Sequence, residues 1–400
     1  LDNLPDVNGA AVAYYGGKEH LLVIERDNTS PSYGLGRYTV VGTTITHLTR
    51  PYLEIAPEWF AVKDHQLFAA QGSSINSIDF SNPLNPRAVA RVTRTYNDYG
   101  KLVVHGRHLF ASTRNSVSGN GVEIFRINSD GSLTYRSRVG TSTAVNDLAV
   151  VGKTLLVARA DGVSSLAAWN IANPAAPVAA GAFNASGAVF AFDARPAASG
   201  GVGYTAVVYA ALINELRTFG YQASTSTFTA LSSAVSLPNS YDQPPNAVSV
   251  AGTTAIVSFA SRYEVQAPEA GVVAVNVATP SSPYLLSTGG LLPLSGPVIQ
   301  QGGYAVGLAP AGAPNGPVFV TFAGSSSAAN GTVDGSLLYS TCADRFGAGS
   351  LAHANGVYYA SCRRNGIVAF AVTDPGGGRL LKRHDIAGDW TWDGDRKSTR

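Results

Sequence analysis

Methionine is missing from this chain of 400 residues, cysteine occurs only twice, and Asp, Glu, Lys and Arg together make up just 14% of it. The net charge of +2 gives no long-range field, which argues against nucleic acid as a partner and leaves recognition to local groups. No apolar run approaches the ~20 residues of a membrane-crossing helix, so no membrane insertion is expected. Two cysteines are too few for a disulfide scaffold or a zinc site. Also absent are the Gly-x-Ser-x-Gly elbow, His-Glu-x-x-His, Cys-x-x-Cys-His and a phosphate-binding glycine loop. Hydrolase, zinc, haem and nucleotide chemistry therefore lose their usual sequence support. With no initiator Met, Leu1 reads as a processing product, expected from a removed signal peptide, or as a boundary. Abundant Ala, Ser, Gly and Thr with little Lys and Glu fit an exported bacterial protein, extracellular, cell-surface or periplasmic.

What the chain does contain is a repeated phrase: an alternating apolar run, a tight turn, a second run, then a third that ends in a Pro- or Gly-rich turn. The third run is plainest in Ser77-Ile78-Asp79-Phe80 before SNPLNP, Trp169-Asn170-Ile171 before ANPAAP, Val275-Asn276-Val277 before ATPSSP, and Phe370-Ala371-Val372 before TDPGGG. Val122 to Ile127 before NSDGS fills the same slot. A period of this length made only of strands predicts a radial array of four-stranded blades, an all-β fold read as a single β-propeller. First-hairpin turns are expected at Gly16-Gly17, Lys63-Asp64, Gly106-Arg107, Gly152-Lys153, a longer loop from Ala197 to Gly203, Gly252-Thr253, Gly302-Gly303 and Asn355-Gly356. They favour eight blades, at about 9–55, 57–95, 97–140, 143–184, 187–238, 242–294, 296–341 and 345–388, with 389–400 as a closing segment or linker. Seven blades is the alternative if 187–238, which carries an AASGG insertion, is a decorated loop. Leu155, Val157, Ala255, Val257 and Phe259 are expected in the core between blades.

The turns SNPLNP, NSDGS, ANPAAP, ATPSSP and TDPGGG resemble those of LVIVD-type β-propeller repeats, in which a strand runs into an Asp/Asn-x-x-Pro turn. That resemblance implies a secreted or cell-surface bacterial propeller, and it brings no catalytic motif with it. The stretch FRINSDGSLTY, Phe125 to Tyr135, also resembles a blade end of lactonase-like seven-bladed propellers.

Several residue sets are candidates for function. Arg26, Arg114, Arg159, Arg262 and Arg363 each follow the second strand of their unit, and equivalent positions around a ring share one rim. They could form an anion site, since Arg matches carboxylates bidentately; equally, each could cap its own loop through Asp27, Asp161 or Glu264. Asn97-Asp98, Asn146-Asp147 and Asp242 with Asn246 recur where innermost strands begin. Asp98, Asp147 and Asp242 could there hold Ca²⁺, although turn chemistry accounts for such residues more simply. Trp59, Tyr96, Tyr99, Tyr241 and Tyr263 lie near the same predicted face, where aromatic rings suit a protein or glycan. His105 and His108 flank a hairpin turn and read as solvated polar residues. Cys342 follows the last strand of one unit and Cys362 ends the second strand of the next, positions that share one face of an up-and-down array, and the two are expected to form a disulfide.

The expected function is a non-catalytic, exported binding module that presents one loop-rich face to a protein or glycan. Two alternatives stand beside it: a lactonase-like or glycan-active hydrolase with a site at the channel mouth, and an accessory subunit of a redox or export complex.

Overall fold

The computed structural model describes side chains for residues 59–70, 72–81, 86–94, 98–113, 119–197, 203–238, 244–259 and 273–286, and the backbone of the strands outside them. Among the described residues there is no helix. Antiparallel sheets follow one another along the chain over 10–53, 59–93, 98–141, 145–183, 191–236, 245–285, 295–333 and 350–384. Each runs through its first four strands in chain order, and the first and fifth carry one short extra strand. The 187–238 segment, weakest in repeat character, thus holds a sheet of its own.

The first hairpins show why the sequence folds this way. Tyr15 pairs with Lys18, His105 with His108, Val151 with Thr154, Ala251 with Thr254, Gln301 with Tyr304 and Ala354 with Val357. Among the described turns, two-residue connections therefore fall on the expected Gly106-Arg107, Gly152-Lys153 and Gly252-Thr253. Gly106, Gly152 and Gly252 take φ of 57°, 58° and 56° at the first central position, where a type II′ hairpin needs positive φ. The second sheet differs by one residue. Lys63 pairs with Gln66, so the turn is Asp64-His65, and Asp64 itself adopts φ 53°, a conformation Asp tolerates better than most residues.

In the second to sixth sheets the described second and third strands are buried on both faces, so successive side chains feed the cores on either side. Leu109, Ala111 and Phe125 pack against Phe68, Ala70 and Ile75 of the second sheet. Their neighbours Phe110, Val122 and Ile124 pack against Leu148, Leu155 and Val157 of the fourth. Leu156 and Ala158 face the fifth sheet, whose Tyr209 and Ala211 meet Ala255, Val257 and Phe259 of the sixth. The core thus lies between sheets, as the sequence leads one to expect. Burying one such side chain stabilises by about 1.5–3 kcal/mol. Fourth strands such as Leu133–Thr141 are largely exposed. First strands of successive sheets lie against one another from Trp59–Lys63 round to Ser350–Ala354, and the latter packs on Ala10–Tyr15 of the first sheet. The two ends of the array therefore meet.

The repeated third turn has a repeated structural job. Phe80, Ile127, Ile171 and Val277 are all buried, and their N–H groups donate to His65, Arg107, Lys153 and Thr253 carbonyls in the first-hairpin turns at 2.7–2.9 Å. Just before them, the carboxamide or carboxylate oxygens of Asp79, Asn170 and Asn276 accept from the backbone N–H two residues on, at 2.8, 2.9 and 3.0 Å. These are Asx turns. The turn then latches to the preceding sheet. Ser77 Oγ donates to Gly131 O and Ser137 Oγ to Pro174 O, both at 2.6 Å, and Thr218 Oγ1 donates to Pro280 O. Gly131, at φ 85°, sits so close to Gln66 that a Cβ there would lie 2.4 Å from its Nε2.

Candidate functional site

Of the rim singled out by the arginine repeat, the loop at Arg159 is described, and it is a capped loop. Arg26, Arg114 and Arg159 all occupy the last position of a second strand: Lys18–Arg26, His108–Arg114 and Thr154–Arg159. The Arg159 side chain is 11% exposed and lies 3.3 Å from Asp161, and its Nε donates to Ser164 O at 2.5 Å. Asp161 also accepts from Ser164 N at 2.8 Å, Thr143 Oγ1 at 2.9 Å and Ser142 Oγ at 3.1 Å. Burial by itself would push the Asp161 carboxyl up, but these hydrogen bonds and the Arg159 charge outweigh it and hold it below the usual range. Arg159 thus follows the loop-capping alternative. The side chains of Arg26 and Arg114, and Arg262, Arg363, Tyr96, Tyr241, Tyr263, Asn97, Asp242, Cys342 and Cys362 as a whole, lie outside the described residues.

Asp147 is a joint between sheets. Its carboxylate pairs with Lys101 of the third sheet and accepts from its own sheet at Leu148 N, 2.8 Å, and from Phe192 N of the fifth sheet, 3.0 Å. Asn146 Nδ2 donates to Val189 O at 2.8 Å. One unit later Asp193 repeats the device, accepting from Val250 N of the sixth sheet at 2.8 Å. The recurring Asn/Asp positions therefore hold neighbouring main chains, and Asp147 is 6% exposed and not a free channel-mouth ligand. Asp98 opens its strand partly exposed. No group of three metal-ligating side chains occurs among the described residues.

Tyr99 corrects a second expectation. It is 1% exposed, stacked edge-on against Phe125 at 6.4 Å, and its hydroxyl donates to the buried Glu123 at 2.6 Å. Its strand turns this ring into the core between the second and third sheets, so it cannot present itself to a ligand. Trp59 packs on the same core.

A different feature stands on the opposite side, where the first-hairpin and third-strand turns gather. Between the third and fourth sheets a cleft of about 320 Å³ is lined by Arg107, His108, Arg126, Arg136, Asn173, Pro174 and Ala175. No Asp or Glu is among them. Arg107 is in the first-hairpin turn, held by the bond from Ile127 N to its carbonyl. His108 and Arg126 are directly paired across strands. Arg136 is placed by a β-bulge: Ile124 pairs with Ser137 and Phe125 with Tyr135, leaving Arg136 as the extra residue. The bulge turns Arg136 and Ser137 toward the same side, so Ser137 latches the Pro174 turn while Arg136 lines the cleft. Burial lowers the His108 pKa, and the charges of Arg136, Arg126 and His105 lower it further. The cleft is therefore a region of uncompensated positive potential, suited to an anion.

His108, expected as a solvated turn residue, instead lines a cleft with Arg126 and Arg136, which strand pairing and a bulge bring to it from later strands. A usable signal existed. Residues 98–141 contain six Lys/Arg against three Asp/Glu in a chain that is otherwise close to neutral.

The sequence matches no family model, and no curated protein matches it. Similarity appears in three dimensions. Sqt1 of Saccharomyces cerevisiae is similar with a TM-score of 0.62 at 10% identity, over 96% of this chain and 98% of that one. A candidate 6-phosphogluconolactonase of Bacteroides uniformis gives 0.58 at 12%, over 79% and 94%. BamB of Moraxella catarrhalis gives 0.52 at 14%, over 90% and 92%. The fold is a β-propeller. At these identities the likeness extends to the scaffold, and the differing names attached to it show that function resides in sites and not in the fold.

Proposed function

We propose that this propeller is a binding module that engages a protein partner, and that its working surface is the face bearing the first-hairpin turns. The observation that carries this reading is the cleft at Arg107, His108, Arg126 and Arg136, whose lining has no carboxylate to neutralise it. Elsewhere the described cationic side chains of the rim and the inner strands, Arg159, Lys101 and Arg195, are each matched to an Asp. The kinship with LVIVD-type repeats and an exported setting belong to the same proposal, and the Asx and Pro-bearing third turns support the first of these.

The test is a photo-crosslinking amino acid at position 173, on the cleft, and at position 163, on the opposite face, in cells that express the chain. A discrete adduct of one identified protein at 173 and none at 163 is the expected outcome. The lactonase-like alternative draws on the Bacteroides neighbour and on FRINSDGSLTY. It predicts δ-lactone hydrolysis above the buffer rate with added Ca²⁺ or Mg²⁺, and such turnover, with no adduct at either position, would replace the binding reading.

A further inference from the structure

The repeat gives an internal standard against which the third sheet can be read. Where the second strand's first residue pairs with the third strand, the second, fourth and sixth sheets place Asp79, Asn170 and Asn276, the residues that make the Asx turns. The third sheet places Arg126 there, and its turn is instead closed by Asp130, which accepts from Ser132 N at 2.9 Å. The extra residue of the third-to-fourth strand bulge is Leu48 in the first sheet, Val89 in the second and Leu381 in the eighth. In the third sheet it is Arg136. Two positions that hold an Asx-turn residue or an aliphatic residue in those sister units are both arginine in this one, and both side chains line one cleft. The second sheet forms the same bulge around a valine, and the third sheet's turn is closed by Asp130 and not by Arg126, so neither arginine is needed for the local fold.

Resting on the binding reading above, we infer that this cleft recognises an acidic peptide segment, with Arg126 and Arg136 gripping successive carboxylates and Arg107 and His108 adding charge at the rim. Three observations select a peptide over a small phosphate. The adjoining Asn173 turn has no free amide cradle: Ala175 N donates to Asn173 Oδ1 at 3.1 Å and Ala176 N to Asn173 O at 3.0 Å, whereas phosphate sites draw on such N–H groups. Arg107, Arg126, Arg136 and Asn173 are exposed, so the cleft is open and would bury a small anion poorly, while a chain can lay several carboxylates across it. Pro174 and Ala175 give the far wall an apolar strip for the segment's other side chains. The guanidinium forks supply bidentate, planar pairing to carboxylate.

The experiment is fluorescence anisotropy with a fluorescein-labelled peptide of six consecutive glutamates, at low ionic strength. The key variant, Arg126→Asn with Arg136→Val, installs residues of the kind the sister units carry, so it is expected to fold and keep its melting temperature. It should weaken peptide binding by about tenfold or more and flatten the dependence on salt. Changing Arg114 to Ala, at the far end of the strand that His108 opens, should leave binding unchanged. Wild-type protein that fails to bind the peptide saturably, or a double variant that binds as well as wild type, overturns the inference. Inorganic phosphate or a heparin hexasaccharide that binds more tightly than the peptide and is lost in the same variant overturns the choice of a peptide. In either case a crosslinked protein at position 173 would leave the binding reading standing, so the two can fail separately.

Discussion

Arg159 and Arg126 sit in neighbouring sheets at opposite ends of the strand stack, roughly 20 Å apart along the strand direction, and they have opposite fates. Arg159 is almost buried and closed off by Asp161 and the Ser164 carbonyl. Arg126 is exposed beside two further arginines and a histidine. The residue type is the same, and what separates them is whether an acceptor has been built into the loop. Arg159, one of the regularly spaced arginines, serves its own loop. The arginines that break the pattern of the repeat mark the place where something else is to be supplied.

The largest effect should come from two adjacent residues on that face. Phe125→Ala, removing a ring wedged between Tyr99 and Tyr135, should destabilise by about 3–5 kcal/mol, whereas Arg126→Asn should stay within about 0.5 kcal/mol; urea titration of both variants measures the gap. Comparable losses would mean that Arg126 is structural and would dissolve the contrast.

Next comes Asp147→Ala, which leaves Phe192 N and Lys101 without their acceptor and should destabilise by about 3 kcal/mol. Chelators should leave the melting temperature of the wild type unchanged if Asp147 serves only as a joint; a chelator-sensitive melt would return it to the metal-ligand class.

A smaller loss, about 1–2 kcal/mol, is expected for Asp161→Ala at neutral pH, since several hydrogen bonds to one loop disappear. The Asp161 carboxyl is held below its ordinary value. Its contribution is therefore full above the unfolded pKa of about 3.9 and is lost as pH falls through the folded value. Asp161→Asn should flatten that acid limb, as read by denaturant midpoints against pH.

The smallest effect is a shift in one histidine. Burial and the nearby Arg136, Arg126 and His105 depress the His108 pKa, so the folded state binds the proton less readily than the unfolded chain. Stability should fall on acidification below about pH 6.5, until the folded pKa is passed. By NMR titration, Arg136→Val should move the His108 pKa upward, and so should the glutamate peptide. Movement in neither case would detach His108 from the cleft.

Most of the fold was legible because it is written locally. Gly106-Arg107 or Gly252-Thr253 between alternating runs states a hairpin, and Leu155, Val157 and Phe259 occupy the core positions their alternation assigns. Lys63-Asp64 misled by one residue because Asp64 supplied the positive φ that Gly supplies in sister turns. The functional surface was harder to see. Tyr99 looked available until the strand turned it inward, and Asp147 looked like a ligand until Phe192, from the next sheet, came to its carboxylate. Arg136 is aimed by a bulge, and a bulge is a matter of register between strands that no single stretch of sequence declares. The cleft also needs Asn173 and Pro174, which belong to another unit.

The latches in the third turns all point the same way along the chain. Gly131, Pro174 and Pro280 each offer a carbonyl to a hydroxyl of the sheet before, and Phe192 and Val250 each bring an N–H back to an earlier Asp. Each of these described units therefore finds its docking partners on one that has already left the ribosome. The array can be assembled in the order of its translation, each sheet serving as the template for the next, and only the final seam between the first and last sheets must wait for the whole chain.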